Sequence, residues 1–308
     1  MKVLVTGGAG FVAGHLRAEL CSAGHDVVLS DILDEPLPNY IKADLTDREA
    51  ILKMVDDVRP DAVVHLGAIS FVPEAEESPE RLKMINLGGT ENLLDGIKRS
   101  VPGAKLIFAS TALVLGGELT PYAAMKLAAE GVVAQFGWEG YSAIIARPAN
   151  HTGPGQSEKF VVPAFVRQAI DIKVGKRDHF TVGNLDSIRD FTDVRDVVRA
   201  YRMLLESREA KGAYSICSDC RMRIRQLLET IADIVGVKPV FKVDEKLWRP
   251  TDVAQVIDTT RIKALGWRPE IPIEQTIRDM AGCACVVGVI PPGVDVVAEY
   301  RAHLCEKY

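Results

Sequence analysis

In the stretch STALVLGGELTPYAAMK, residues 110–126, the side chains that stand out for chemistry are Thr111, Tyr122 and Lys126. Ala112 and Leu113, directly after Thr111, cannot move protons, whereas a phenol and an amine can. Tyr122 and Lys126 stand four apart, which on a helix sets both on one face. A Tyr-x-x-x-Lys match alone arises often by chance. It gains weight here because it follows an apolar run ending in Ser-Thr and a glycine turn.

A second constellation says what such a pair would work on. VLVTGGAGFVAGH places glycines directly after an apolar run and at the start of a helical pattern. Gly7 permits a tight turn and Gly10 a close backbone approach, with Phe11 and Val12 opening the helix whose N-terminus favours an anion. The third small position is Ala13, with Gly14 beside it. A lone glycine pattern is weak, but the strand–turn–helix context marks a dinucleotide site in preference to a purely structural turn. Asp31, about twenty residues on, can accept hydrogen bonds from ribose hydroxyls and would repel a 2′-phosphate. SDILDEP offers no Arg or Lys to hold that phosphate, so NAD(H) is expected over NADP(H), which stays possible. Asp44 and Leu45 are expected near the adenine, and Leu66, Gly67 and Ala68 of HLGAIS along the cofactor. His65 reads as a packed strand residue.

The elements needed to position these groups are legible. KVLVT (2–6), DVVLS (26–30), DAVVHLG (61–67), AKLIFAS (104–110) and YSAIIAR (141–147) read as buried strands of a parallel sheet. Amphipathic segments lie between them around 12–23, 46–57, 80–99 and 122–137. The alternation predicts an α/β fold, a Rossmann-type doubly wound sheet with right-handed crossovers, followed by a smaller C-terminal substrate-binding domain. Expected boundaries are 1–155 plus about 187–215 for the dinucleotide domain, and 156–186 with 216–308 for the smaller one. Residues 238–275, rich in Pro and Trp, read as irregular, and the final stretch from CACVVG onward matches no motif. Trp248 and Trp267 are expected in the core of the smaller domain.

The totals fit this reading. A chain of 308 residues suits one large domain carrying a smaller one. A net charge of −5 argues against nonspecific nucleic-acid binding without opposing an anionic ligand at a local site. With no long apolar run and no leader before MKVLVTGG, no membrane span and a cytoplasmic location are expected. Six cysteines include CSDC and CAC, but a single CxxC is poor zinc spacing, so reduced incidental thiols and no metal are expected.

Taken together, TGGAGFVAGH, STALVLG with PYAAMK, RPANHTGPGQ and IRDFTDVRDVV resemble the extended short-chain dehydrogenase/reductase family of nucleotide-sugar enzymes, the NAD-dependent epimerases and dehydratases. With RPTDVAQVIDTTRIKALGWRPEI, the chain is most similar within it to GDP-4-keto-6-deoxy-mannose (GDP-6-deoxy-D-mannose) reductases, over roughly residues 1–280. The resemblance implies that Lys126 binds the nicotinamide ribose and lowers the Tyr122 pKa, and that Thr111 hydrogen-bonds the reacting oxygen. It implies sugar-nucleotide contacts for Asn150, Arg189 and Arg249, with Lys159 a weaker candidate and His151 a neutral one. It also implies a homodimer through the helices at 80–99 and 122–137.

Family dehydratases carry Asp-Glu after the threonine, and the related epimerase-reductase a cysteine where Leu113 stands. Ala112 and Leu113 offer neither, which leaves hydride transfer at one carbon; the resemblance then implies NAD(P)H-dependent reduction of a nucleotide-linked 4-keto-6-deoxy sugar, GDP-4-keto-6-deoxy-D-mannose to GDP-D-rhamnose. A sugar-nucleotide 4-epimerase that retains its NAD is the alternative enzyme, and a non-catalytic NAD-binding regulator the alternative of another class. The loop GGELT between Thr111 and Tyr122 is shorter than is usual in the family, and Leu115 replaces its common tyrosine.

Overall fold

The computed structural model describes the chain apart from residues 34, 36, 118, 249–256 and 288–308, and apart from the side chains of 284–287. The elements begin with β1 (Lys2–Thr6), α1 (Phe11–Ser22), β2 (Asp26–Asp31), β3 (Tyr40–Lys42), α2 (Arg48–Val58) and β4 (Ala62–His65). The short helices α3 (Val72–Glu77) and α4 (Pro79–Lys83) precede α5 (Gly89–Ser100), β5 (Lys105–Ala109), α6 (Pro121–Trp138) and β6 (Ala143–Pro148). There follow β7 (Asn150–Thr152), α7 (Val161–Lys173), β8 (Phe180–Val182), β9 (Ile188–Asp193), α8 (Val194–Glu206) and β10 (Gly212–Ile216). The last are β11 (Arg221–Arg223), α9 (Ile224–Val235), β12 (Phe241–Val243), α10 (Thr260–Ala264) and α11 (Ile273–Val287).

The chain divides into two compact units. The first comprises Met1–Ala149, Val198–Ile216 and Ile257–Trp267. It holds a seven-stranded parallel sheet in the order β10-β6-β5-β4-β1-β2-β3. The order reverses between β1 and β4, which opens a crevice at their carboxyl ends where such sheets take ligands. Continuous apolar strands such as Val3–Val5 and Ala62–Val64 are buried, as a sheet covered on both faces requires. Leu4, Val63, Leu106 and Phe108 meet Ile51, Val55, Leu93 and Phe136 from the helices in one core.

The expected strands and helices of this unit are present, with boundaries shifted by a residue or two. Two features differ. The short strand Tyr40–Lys42 lies at the sheet edge, and the segment expected as one helix at 80–99 contains a π-helical turn, Met84–Gly88, between α4 and α5. No helix among the described residues is long and apolar enough to cross a membrane.

The second unit comprises Asn150–Val197, Cys217–Val256 and Arg268–Tyr308. A three-stranded sheet, β11-β9-β7, and a pair, β12-β8, lie in it. Its core joins Phe165, Phe180 and Phe191 to Leu227, Ile231 and Ile277. The stretch expected to be irregular at 238–275 carries β12 and α10. Trp267 is fully buried but falls in the first unit, and Trp248 is half exposed, not core, since the turn Glu245–Leu247 before it buries nothing.

Candidate active site

The phosphate loop forms at the end of β1 because its backbone requires glycine. Gly7 has φ +72°, and a Cβ there would lie 2.7 Å from the Gly67 nitrogen. The turn closes with Gly10 N–H donating to the Gly7 carbonyl at 2.9 Å. Helix α1 then starts at Gly10 with no side-chain cap and no acidic residue in its first turn. A helix start of this kind suits a phosphate. Gly67 follows β4 and presses its backbone on Gly7, while the Leu45 side chain abuts Gly67. Gly7, Gly10, Phe11, Val12, Leu45, Leu66, Gly67 and Ala68 are thus gathered around the carboxyl ends of β1 and β4.

Asp31 ends β2, and its two oxygens accept from Ala9 N at 3.1 Å and Ile32 N at 2.8 Å. The carboxylate therefore ties the phosphate loop to the next strand while carrying negative charge beside it. Asp44 Oδ1 accepts from the Thr46 amide and hydroxyl, both at 2.8 Å, so one of its oxygens belongs to its own turn.

Tyr122 is brought into place by a well-defined helix start. Thr120 caps α6, accepting from Ala123 N at 3.2 Å, and Pro121 occupies the first turn. This puts Tyr122 in the first turn, packed with Ile69, Ala75 and Leu82, and Lys126 one turn below. Both are buried. The Lys126 ammonium donates to the Ala109 carbonyl at 2.7 Å and lies 5.0 Å from the centre of the Phe108 ring. Thr111, also buried, caps the 3-10 turn Ala112–Leu115 by accepting from Leu113 N at 3.2 Å.

The electrostatics correct one expectation. Lys126 does not hold the Tyr122 phenol low: burial pushes that pKa well above 10.0. Burial also pulls the Lys126 pKa down from 10.5 to about 8, against the opposing pull of Glu130. The physical reason is desolvation, which penalises whichever form is charged and here outweighs neighbouring charge. Glu130, one further turn along α6, is held by Arg147 in a two-pronged pair, with Arg147 Nε 2.9 Å from Oε1.

The sequence marks Ser110 only as the end of an apolar run, with no role of its own. Its buried Oγ has no hydrogen-bond partner among the described residues, although it neighbours Thr111 and the strand end that receives Lys126. An orphaned hydroxyl, an uncapped helix start and a glycine turn that a Cβ would fill together fit a dinucleotide.

Asn150, Lys159 and Arg189 belong to the second unit. Asn150 opens β7 and pairs with Phe191 of β9, the strand that also carries Arg189. Arg189 Nη1 donates to the Ile188 carbonyl at 2.9 Å. Lys159 is exposed, its amide on Ser157 Oγ at 3.3 Å. Arg249 lies outside the described residues, as do Cys305 and the side chain of Cys285. Cys21, Cys217, Cys220 and Cys283 are free thiols, and no cluster of metal-ligating side chains occurs among the described residues. Burial raises the Cys217 thiol to about 12.

A doubly wound sheet with a glycine turn at its switch point, and a buried tyrosine–lysine pair one helical turn apart, defines an NAD(P)-dependent oxidoreductase. The chain belongs to the GDP-mannose 4,6 dehydratase family of extended short-chain dehydrogenases/reductases, whose profile matches residues 4–280. It is 38% identical to the GDP-6-deoxy-D-mannose reductase of Pseudomonas aeruginosa, over 90% of this chain and 95% of that protein. It is 29% identical to the GDP-6-deoxy-D-talose 4-dehydrogenase of Aggregatibacter actinomycetemcomitans, over 83% of this chain and 88% of that one. Among solved structures it resembles RMD of Pseudomonas aeruginosa complexed with NADPH, at TM-score 0.79 and 36% identity, covering 91% of this chain and 97% of that chain. The UDP-glucose 4-epimerase of Thermus thermophilus in complex with NAD superposes at TM-score 0.81 with 28% identity, covering 92% of this chain and 98% of that one.

Proposed function

We propose that the protein reduces the 4-keto group of a nucleotide-linked 4-keto-6-deoxy sugar, converting GDP-4-keto-6-deoxy-D-mannose to GDP-D-rhamnose. The observation that carries this reading is that Ala112 and Leu113 follow Thr111 where a dehydration would need an acid and a base. The 38% identical reductase supports the same substrate class. Held at the turn formed by Gly7, Gly10 and Gly67, a reduced nicotinamide dinucleotide would supply the hydride to C4.

Tyr122 gives the proton to the C4 oxygen. A phenol whose pKa burial has raised keeps its proton until a stronger base, the nascent alkoxide, forms beside it. That bias suits reduction better than oxidation. Lys126 holds the nicotinamide ribose hydroxyls, while Thr111 donates a hydrogen bond to the C4 oxygen. Asn150 and Arg189 hold the diphosphate, a planar guanidinium suiting two phosphate oxygens, with Lys159 and Arg249 as further contacts. Asp31 favours NADH over NADPH, because its carboxylate would face a 2′-phosphate. The protein works as a homodimer: Ala124, Leu127, Ala128 and Gly131 leave a small, apolar, exposed stripe along α6, with Met84 exposed nearby in sequence to α5. Such a stripe is what close helix packing between protomers needs.

The test is to supply GDP-4-keto-6-deoxy-D-mannose with NADH or NADPH, follow loss of the reduced nicotinamide, and identify the sugar by NMR. Tyr122→Phe should slow turnover at least about 100-fold while binding the dinucleotide normally. No consumption of either reductant by the unmodified protein would defeat the reading, as would native turnover by the Phe variant. Interconversion of C4 epimers without added reductant would favour an epimerase instead.

A further inference from the structure

Three polar side chains that the reaction does not use, Thr6, His65 and Thr90, form a chain of hydrogen bonds behind the phosphate loop that ends on the main chain of Asn86. Thr6 Oγ1 lies 2.6 Å from His65 Nδ1, and His65 Nε2 lies 3.0 Å from Thr90 Oγ1. Thr90 Oγ1 in turn donates to the main-chain carbonyl of Asn86 at 2.7 Å. The Asn86 side chain clamps Ile69 from both sides, accepting from its N–H at 2.8 Å and donating to its carbonyl at 3.0 Å. At the other end, Gly67 N–H donates to Thr6 Oγ1 at 3.3 Å. These three side chains and that of Asn86 are buried.

The direction of every proton follows from the ends. The Asn86 carbonyl can only accept, so the Thr90 hydroxyl proton is spent on it and Thr90 must accept from His65. The Nε2 of His65 therefore carries the hydrogen and Nδ1 is bare, which makes Thr6 the donor there. The Thr6 oxygen then has a lone pair for Gly67 N–H. Burial, with the Lys126 charge behind it, holds His65 neutral by lowering its pKa to about 3. The arrangement is thus single and unaffected by pH over the working range.

We infer that His65, Thr90 and Asn86 are positioning residues that fix the Gly67–Ile69 backbone against the phosphate loop, so that the dinucleotide meets a surface already in shape. Thr6 and Asn86, at the two ends of the chain, grip residues 67 and 69, on either side of Ala68, and Gly67 is the residue whose backbone abuts Gly7. The π-helical turn that contains Asn86 departs from α-helical spacing at the residue that reaches Ile69. The inference rests on dinucleotide binding at this loop.

Thr90→Val keeps the shape of the side chain and removes the link; Thr90→Ser keeps the link. The expected result is that Val weakens NADPH binding by about tenfold, leaves AMP, which probes the adenosine half, within about twofold, and that Ser restores native affinity. Equal weakening of NADPH and AMP, or no weakening by Val, overturns the inference and leaves the reductase reading standing. No binding of either NADH or NADPH by the unmodified protein overturns both. The unmodified chain gives a second measurement that no folding defect can spoil: the amides of Gly67 and Ile69 should be protected from hydrogen exchange before any dinucleotide is added. Protection that develops only with NADPH would show the ligand, and not the side-chain relay, ordering the segment.

Discussion

Lys126 should make the stability of this protein rise with pH. Its side chain is buried and donates to the Ala109 carbonyl at 2.7 Å, and desolvation brings its pKa from 10.5 to about 8 despite the favourable charge of Glu130. Between those values the unfolded chain binds the proton that the folded chain has released. The unfolded state then carries more protons, so stability climbs as pH rises through the window. The displacement, 10.5 − 8 = 2.5, corresponds to about 3 kcal/mol when fully developed. From about pH 7 to about pH 9.5 the gain is about 2 kcal/mol, because the folded-state proton is nearly gone and the unfolded-state one nearly all retained. Lys126→Met removes this slope. Its absolute stability is a poorer measure, since the Ala109 carbonyl loses a donor at a cost of about 1–3 kcal/mol. Urea unfolding of both proteins at the two pH values isolates the difference. Equal slopes for the Met variant and the unmodified protein would show that the ammonium is not desolvated, and the account of the pair would fall with it.

Gly7→Ala should cost about 1–3 kcal/mol from the positive φ alone and block the dinucleotide, because its Cβ would enter the Gly67 backbone; native melting and native NADH affinity would contradict this. Asp31→Ser should move the NADPH-to-NADH preference by about tenfold toward NADPH, or about 1.4 kcal/mol, read from the two dissociation constants. An unchanged ratio would mean that the carboxylate does not face the 2′ position. Glu130→Gln should destabilise by about 3 kcal/mol by leaving Arg147 without its ionised partner. It should also lower the Lys126 pKa further, since Glu130 is the group that raises it, and the Lys126 pH window would widen downward.

The phosphate loop and the tyrosine–lysine pair were legible in the sequence because each depends on local rules. Only glycine tolerates the φ of residue 7, a run of Val and Leu makes a buried strand, and i to i+4 spacing is a property of any helix. The small strands of the second unit were not legible: β7, β8, β11 and β12 have three residues each, too few for alternation to register. Trp267 was read as buried but its unit was mistaken, since burial follows from side-chain type whereas membership of a unit depends on distant contacts.

By itself, then, the sequence determined the doubly wound sheet, the glycine turn after its first strand and the placing of Tyr122 and Lys126 on one helix face, because those follow from neighbours along the chain. The tertiary structure alone decided the electrostatic state of the pair, in which desolvation raises the phenol and lowers the ammonium. It also decided that His65 lies between Thr6 and Thr90, residues 59 and 25 positions away. Desolvation and hydrogen-bond direction depend on which remote atoms close around a group, and no pattern along the chain encodes that.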